Sequence, residues 1–249
     1  MTLIATGLTD IGTRRVSNQD AIAWHVCPDS TRALGIVADG MGGYKGGEIA
    51  SQVAVNVITQ ALVPLVNQPP VDDADQVRAI RDAVNEANEQ IQALREEDPV
   101  LGNMGTTIVL VWIQGSDALV AHIGDSRCYH LSGDQLDLKT RDDTVVQNMI
   151  DDGSISEAEA PRMPFRNVLT QALGSNEAAE PSLCRLQLAR GDRLLLCSDG
   201  LTEAVPEADW PGLMPARVPL REQANTLIHT SLENQAADNV SVVLILKES

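Results

Sequence analysis

Three times along this chain an acidic residue stands where an apolar, β-type run meets a turn. Asp39 does so in Ile36-Val37-Ala38-Asp39-Gly40, Asp199 in Leu196-Cys197-Ser198-Asp199-Gly200, and Asp238 in Ala237-Asp238-Asn239, just before the C-terminal run. In antiparallel neighbours the end of one strand lies beside the start of the next, so such carboxylates can converge on one rim of a sheet. If residues 28–31 form a hairpin loop, stepping back along both strands puts Asp20 opposite Asp39. Asp20, Asp39, Asp199 and Asp238 would then meet. Clustered carboxylates repel one another unless neutralised, and with no basic residue or histidine nearby the fitting neutraliser is a hard divalent cation held by oxygen, Mg²⁺ or Mn²⁺. Two such ions acidify a shared water and hold a phosphate for in-line attack. Taken singly, Asp-Gly and Asp-Asn are ordinary turn sequences; it is the set that points to a metal centre.

Other candidate chemistry is weaker. The stretch Gly40-Met41-Gly42-Gly43-Tyr44-Lys45-Gly46-Gly47-Glu48 resembles a nucleotide loop, but the dinucleotide pattern needs Gly where Lys45 stands, and the P-loop needs Gly-Lys-Ser/Thr. The bare backbone after Asp39 suits the approach of a carbonyl, that of Gly40, to a metal. Arg15, five residues before Asp20, has a planar fork suited to phosphate oxygens, although a lone arginine is usually just solvated. Cys184 and Arg190 match the C-x₅-R spacing of cysteine-dependent phosphatases. Their alternating Leu context reads as a strand, whereas that chemistry needs a loop of amides at a helix N-terminus. His25, His122, His130 and His229 have no ligand spacing, and Ser126 and Ser198 lack a G-x-S-x-G context and read as turn serines.

The elements that must position these residues are legible in outline. Runs at Leu3–Leu8, Ala21–Cys27 and Arg32–Ala38 read as strands, the last two as a hairpin. Helices are expected from about Glu48 to Val66 and from about Asp72 to Glu97. Thr106–Ile113, Leu119–Ile123, Cys128–Leu131 and Gln135–Leu138, separated by Gly, Ser and Asp turns, read as an antiparallel meander. Asp142 to Ser175 reads as an insert of short helical pieces carrying Pro161 and Pro164. Strands at Leu183–Leu188 and Arg193–Ser198, a helix at Leu220–Glu233 and a strand at Val240–Leu246 follow. Strands in blocks flanked by helices, without β-α-β alternation, argue for antiparallel sheets with helical layers in one α+β domain.

The 249 residues hold 18 Lys+Arg against 35 Asp+Glu, a net charge of −17, which opposes binding to nucleic acid or an anionic membrane surface and favours cations. At 43% hydrophobic but only 2% aromatic, the core must be filled by Leu, Val, Ile and Ala, and disorder is excluded. The uncharged stretch from Ile49 to Val71 has the length of a membrane span, yet its Gln and Asn residues and prolines fit an amphipathic buried helix better. The start of the chain has no secretory signal and the four cysteines are scattered singly, so a cytoplasmic protein with reduced thiols is expected.

Taken in order, Arg15-Val16-Ser17-Asn18-Gln19-Asp20, Val37-Ala38-Asp39-Gly40-Met41-Gly42-Gly43, Met104-Gly105-Thr106-Thr107, Gly124-Asp125-Ser126-Arg127, Cys197-Ser198-Asp199-Gly200-Leu201 and Asp238-Asn239-Val240-Ser241 resemble the sequence blocks of the metal-dependent protein Ser/Thr phosphatases of type 2C, the PPM family, in their compact bacterial form. The resemblance implies a four-layer α-β-β-α sandwich, two antiparallel β-sheets flanked by helices, forming a single catalytic domain over residues 1–249. It implies two or three Mn²⁺ or Mg²⁺ ions. Asp39 would bridge two of them, Asp199 and Asp238 would hold the first, and the Gly40 carbonyl would join the second. Asp20 would orient metal-held water, Arg15 would grip the phosphate, and Asp125 with Asp199 would hold a third, weaker ion.

Residues 145–175, with Gly153 and Phe165-Arg166-Asn167-Val168-Leu169-Thr170, resemble the family's flap. The implied reaction is hydrolysis of phosphoserine and phosphothreonine in proteins by a metal-bridging water or hydroxide. The implied enzyme is a monomer whose partners are phosphorylated proteins and a cognate bacterial Ser/Thr kinase. Two departures leave the general acid open: Tyr44 stands where relatives commonly have His after Met-Gly-Gly, and Asp142-Asp143 stands where they commonly have Asp-His. Two other readings stay in view, a catalytically weak phosphoprotein-binding module of the same fold and a metal phosphodiesterase acting on small molecules.

Overall fold

The computed structural model describes residues 2–42, 45–175 and 178–248. The chain opens with strands β1 (Leu3–Asp10), β2 (Asp20–Val26) and β3 (Arg32–Met41), followed by helices α1 (Gly46–Val66) and α2 (Asp73–Glu97). Strands β4 (Gly105–Thr106), β5 (Ile108–Gln114), β6 (Asp117–Ile123), β7 (Arg127–Ser132) and β8 (Gln135–Leu138) come next. Helix α3 (Val145–Asp151), strands β9 (Ser182–Gln187) and β10 (Arg193–Cys197), helices α4 (Asp199–Ala204), α5 (Trp210–Leu213) and α6 (Leu220–Glu233), and strand β11 (Val240–Lys247) complete it.

These strands form two antiparallel sheets, one ordered β1-β11-β10-β7-β8 and the other β2-β3-β5-β6-β9, with β4 paired to β3. The central strands are apolar on both faces because both faces are covered. On β3, Leu34, Ile36 and Ala38 face α1 and α2, whereas Ala33 and Val37 face the other sheet. On β10, Leu194 and Leu196 pack between the sheets, and Leu195 and Cys197 pack against α4 and α6. Three apolar layers thus separate four layers of secondary structure. Trp112 is fully buried in one helix-facing layer and Trp210 in the other. Helix α1 passes for a membrane span by length and composition. Here its Ala54, Ile58 and Leu62 are buried against the second sheet and α2.

The hairpin of β2 and β3 has the expected register, Asp20 opposite Asp39. The expected meander does not exist as one unit. β5 and β6 belong to the second sheet, β7 and β8 to the first, and the chain crosses between sheets at Gly124-Asp125-Ser126. Gly124 turns with φ 98°, a left-handed conformation that a side chain disfavours, and this turn places Asp125 at the seam. Asp199-Gly200, expected as a turn, instead opens α4, with Ser198 at the N-cap. Gly200 is demanded by a close approach: a Cβ there would lie 2.0 Å from the Asn239 carbonyl oxygen. That contact holds the start of α4 against the start of β11, and so Asp199 beside Asp238. Gly200→Ala should therefore destabilise the protein by about 1–3 kcal/mol through overpacking, measured by denaturant unfolding. An unchanged midpoint would show that α4 is free to shift.

Candidate metal centre

Asp39 is fixed through its backbone. Its N–H donates to Thr107 Oγ1 at 3.0 Å, and its carbonyl accepts from Thr107 N at 2.9 Å and from Thr106 Oγ1 at 2.8 Å. Gly124 in turn packs on Thr107, and Ser126 bonds Thr107 Oγ1 at 2.7 Å. The Met-Gly-Thr-Thr block is thus a clamp on Asp39. Asp20 is fixed by its side chain: Oδ2 accepts from Ser198 Oγ at 2.8 Å and from Ser241 Oγ at 2.6 Å. Both hydroxyls come from the opposite sheet. Ser198, expected as a turn serine, is therefore a positioning residue, because its backbone pairs with Ser241 and aims the hydroxyl across the seam.

The loop between β1 and β2, which carries Arg15, is tied to the 236–239 turn. Thr13 bonds the Ala236 carbonyl through both N and Oγ1. Asn239 accepts from Gln19 N at 2.8 Å and donates to the carbonyls of Ile11 and Ser17. Arg15 Nη2 reaches Asp238 Oδ2 at 2.5 Å while about half of its side chain stays exposed. A cleft of ≈ 570 Å³ results, lined among others by Arg15, Asp39, Gly40, Asp125, Asp199 and Asp238. Asp20 lies behind it, opposite Asp39.

Gly40 has a steric reason that differs from the expected one: a Cβ on it would lie 2.1 Å from the Gly47 carbonyl oxygen, so it is glycine because α1 crosses β3 there. Asp143 does not line the cleft. It is buried: its Oδ2 accepts from Gly124 N at 2.9 Å, its N–H donates to the Gly124 carbonyl and its own carbonyl accepts from Thr170 N, a clasp rather than a proton donor. Asp142 is spent on Arg127, which holds both its oxygens at 2.8 and 2.7 Å. Tyr44 lies outside the described residues. The four histidines bond Asn67, the Arg141 carbonyl, Asp192 and Glu233, away from the cleft. Cys184 sits on β9 and Arg190 bonds the Glu248 carbonyl, so the C-x₅-R spacing is coincidence. Asn167 and Leu169 of the 145–175 segment also line the cleft. The resemblance to the family's flap takes in both residues, but nothing in the sequence tells how the insert folds back to bring them to the cleft.

The donor set fits hard cations. Asp20 Oδ1 and Asp199 Oδ1 are buried and, among the described residues, have no hydrogen-bond partner. Such oxygens cost free energy unless something positive meets them. Burial first, then like charge from Asp20, Asp199, Asp125 and Asp238, holds the Asp39 carboxyl well above the usual carboxylate range. Burial and Asp125 push Asp199 up to about 8. Burial and Asp142 push Asp125 up to about 6. Among the described residues no three carboxylate, imidazole or thiol groups make a ready all-side-chain cage. Mg²⁺ is bound through one or two carboxylates and keeps several waters.

The comparisons agree with the geometry. The family model described as "Protein phosphatase 2C" matches residues 13–238. Protein phosphatase PhpP of Streptococcus pneumoniae is 32% identical over 239 residues, covering 96% of this chain and 95% of that protein. The serine/threonine phosphatase of S. agalactiae superposes with a TM-score of 0.91 at 31% identity, over 99% of this chain and 100% of that one. The catalytic domain of the serine/threonine protein phosphatase PstP, solved in complex with two manganese ions, gives 0.82 at 34% identity, over 99% of each chain. A four-layer sandwich with a carboxylate cleft at the seam defines the class, and the chain belongs to the protein phosphatase 2C family. It is a protein serine/threonine phosphatase.

A carboxyl whose pKa is raised on folding stabilises the folded state below its unfolded pKa and loses that contribution as pH rises through the folded value. The metal-free protein should therefore lose stability between roughly pH 4, the unfolded carboxylate value, and pH 8. Mn²⁺ competes with the same protons, so the rise in Tm it produces should grow across that window. A Tm gain independent of pH, measured by scanning fluorimetry with and without Mn²⁺, would show that these carboxyls do not bind it.

Proposed function

We propose that the Asp39, Asp199 and Asp238 cleft hydrolyses phosphoserine and phosphothreonine in proteins with two Mn²⁺ or Mg²⁺ ions, and a third at Asp125. The observation that supports this most is the convergence of those carboxylates with Arg15 in one cleft, together with buried oxygens of Asp20 and Asp199 that lack partners among the described residues. Asp39, Asp199, Asp238 and the Gly40 carbonyl would hold the two ions, and Asp125 with Asp199 the third. When bound, the ions acidify water toward neutrality and neutralise charge on the phosphate.

The chain's own residues do the rest. Arg15 presents the remainder of its fork to phosphate oxygens from an exposed position beside Asp238. Asp20, with Oδ2 held by two serine hydroxyls, keeps Oδ1 as an acceptor that orients the attacking water and takes its proton. The leaving group's proton comes from water or from Tyr44. A protein phosphomonoesterase needs a supply of phosphoprotein, so a cognate Ser/Thr kinase belongs to this reading, as do a monomeric enzyme and a cytoplasmic location.

Turnover of a phosphothreonine peptide should need Mn²⁺ or Mg²⁺ and vanish with chelator. Asp39→Asn, Asp199→Asn and Asp238→Asn should each lower kcat by at least roughly 10²-fold, the scale lost with one preorganised electrostatic group. Hydrolysis at the wild-type rate without metal would sink the mechanism. Arg15→Ala should raise KM more than it lowers kcat, and Arg15→Lys should restore binding only in part, since a point charge replaces a fork. Cys184→Ser should change nothing, and a loss there would revive the cysteine mechanism.

A further inference from the structure

A second cavity of ≈ 260 Å³ opens directly beside the catalytic cleft. The two share Asp125, Asn167 and Asp199, so they adjoin along those side chains. One side is α4. The other is built from the insert, by α3 and the 3₁₀ turn Ala160–Arg162. Val146, Ile150, Ala160 and Pro161 give it a carbon floor, with Thr144, Gln147 and Thr202 beside it.

With Asp125 and Asp199 given to the third ion, the remaining charges around this floor are matched. Arg127 holds both oxygens of Asp142 and reaches Glu207 at 2.9 Å, and Tyr129 donates to the same Glu207 oxygen at 2.6 Å. At the mouth, Arg166 faces Glu203 at 3.6 Å. A charged group entering would be desolvated without a free partner, whereas an apolar group would cover the carbon floor and displace only water. The volume admits a side chain the size of leucine. An extended peptide advances about 3.3 Å per residue, so a residue close to a phosphothreonine held in the cleft reaches this cavity.

We propose that the cavity is a specificity pocket of the phosphatase, taking an uncharged aliphatic side chain of the phosphoprotein near its phosphorylated residue. This rests on the protein phosphatase reading of the adjoining cleft. The pocket selects substrates through contacts remote from the reacting phosphorus, which change kcat/KM for peptides and leave small aryl phosphates untouched.

The test uses the Mn²⁺-loaded enzyme and phosphothreonine peptides with Leu, Ala, Lys or Asp placed in turn at each of the three positions on either side. One position should favour Leu over Ala by roughly 10-fold in kcat/KM, the discrimination an apolar pocket gives, with Lys and Asp no better than Ala. Ala160→Phe, which fills the pocket, should erase that preference while p-nitrophenyl phosphate is turned over at the wild-type rate. Ile150→Ala, which removes atoms and inserts none, should move the preference from Leu to Phe. Equal rates for all peptides, a preference for Lys, or a Leu preference that survives in both variants would overturn the pocket and leave the phosphatase reading standing. Hydrolysis of p-nitrophenyl phosphate with none of any phosphopeptide would overturn both.

Discussion

The rest of the structure is arranged around the mutual repulsion of carboxylates buried at the seam of two sheets. Asp20 and Asp39 come from one sheet, Asp199 and Asp238 from the junctions of the other, and Asp125 from the turn that crosses between them. Each raises the free energy of its neighbours' charged forms. No fold would keep such a group for stability, because a buried charge without a partner is among the most costly features a protein can carry. The cost makes sense when cations offset it, and the chain's net charge of −17 draws cations toward the whole surface.

The groups that hold these carboxylates are almost all uncharged. Thr106 and Thr107 clamp Asp39, Ser198 and Ser241 hold Asp20, and Asn239 ties the Arg15 loop to the turn carrying Asp238. A lysine or arginine in place of Ser198 or Ser241 would neutralise the Asp20 carboxylate and compete with a metal for it. Hydroxyl and amide donors fix direction while leaving the charge available. Arg15 is the exception, and its position explains why it can be one. It meets Asp238 from the exposed side, where a guanidinium is free to exchange its carboxylate for a phosphate.

Much of this was legible because the sandwich buries both faces of its central strands, which writes continuous apolar runs into the sequence and makes strands such as β3 and β10 plain. The hairpin register followed from loop length alone, and with it the pairing of Asp20 and Asp39. Sheet membership did not follow. The alternation in β5 to β8 is the same whether consecutive strands share a sheet or change sheets, and left-handed glycines stand in both kinds of turn, at Gly115 and Gly133 within a sheet and at Gly124 between sheets. The same ambiguity hid the roles of Gly200 and Ser198, since Ser-Asp-Gly serves equally as a turn and as a helix start whose glycine admits a neighbouring carbonyl. Asn167 and Leu169 were beyond reach because their positions depend on long-range backbone pairing within an irregular insert.

That insert is joined to the catalytic seam mostly by backbone, with Leu173 near its end buried in the core. Asp143 bonds Gly124, Thr144 bridges Leu169, and Leu173 pairs with Thr106, which is itself a clamp on Asp39. Between these ties, Val146 is the one buried residue of α3, and the 3₁₀ turn Ala160–Arg162 has none. Segments with few buried apolar groups lie at the low end of local stability and tolerate changes in the side chains they present. The fold thus separates two demands. The ends of the insert are fixed by main-chain hydrogen bonds, by the Asp143 carboxylate and by buried Leu173, so the cleft keeps its shape, while the residues between them can change with the phosphoprotein to be recognised.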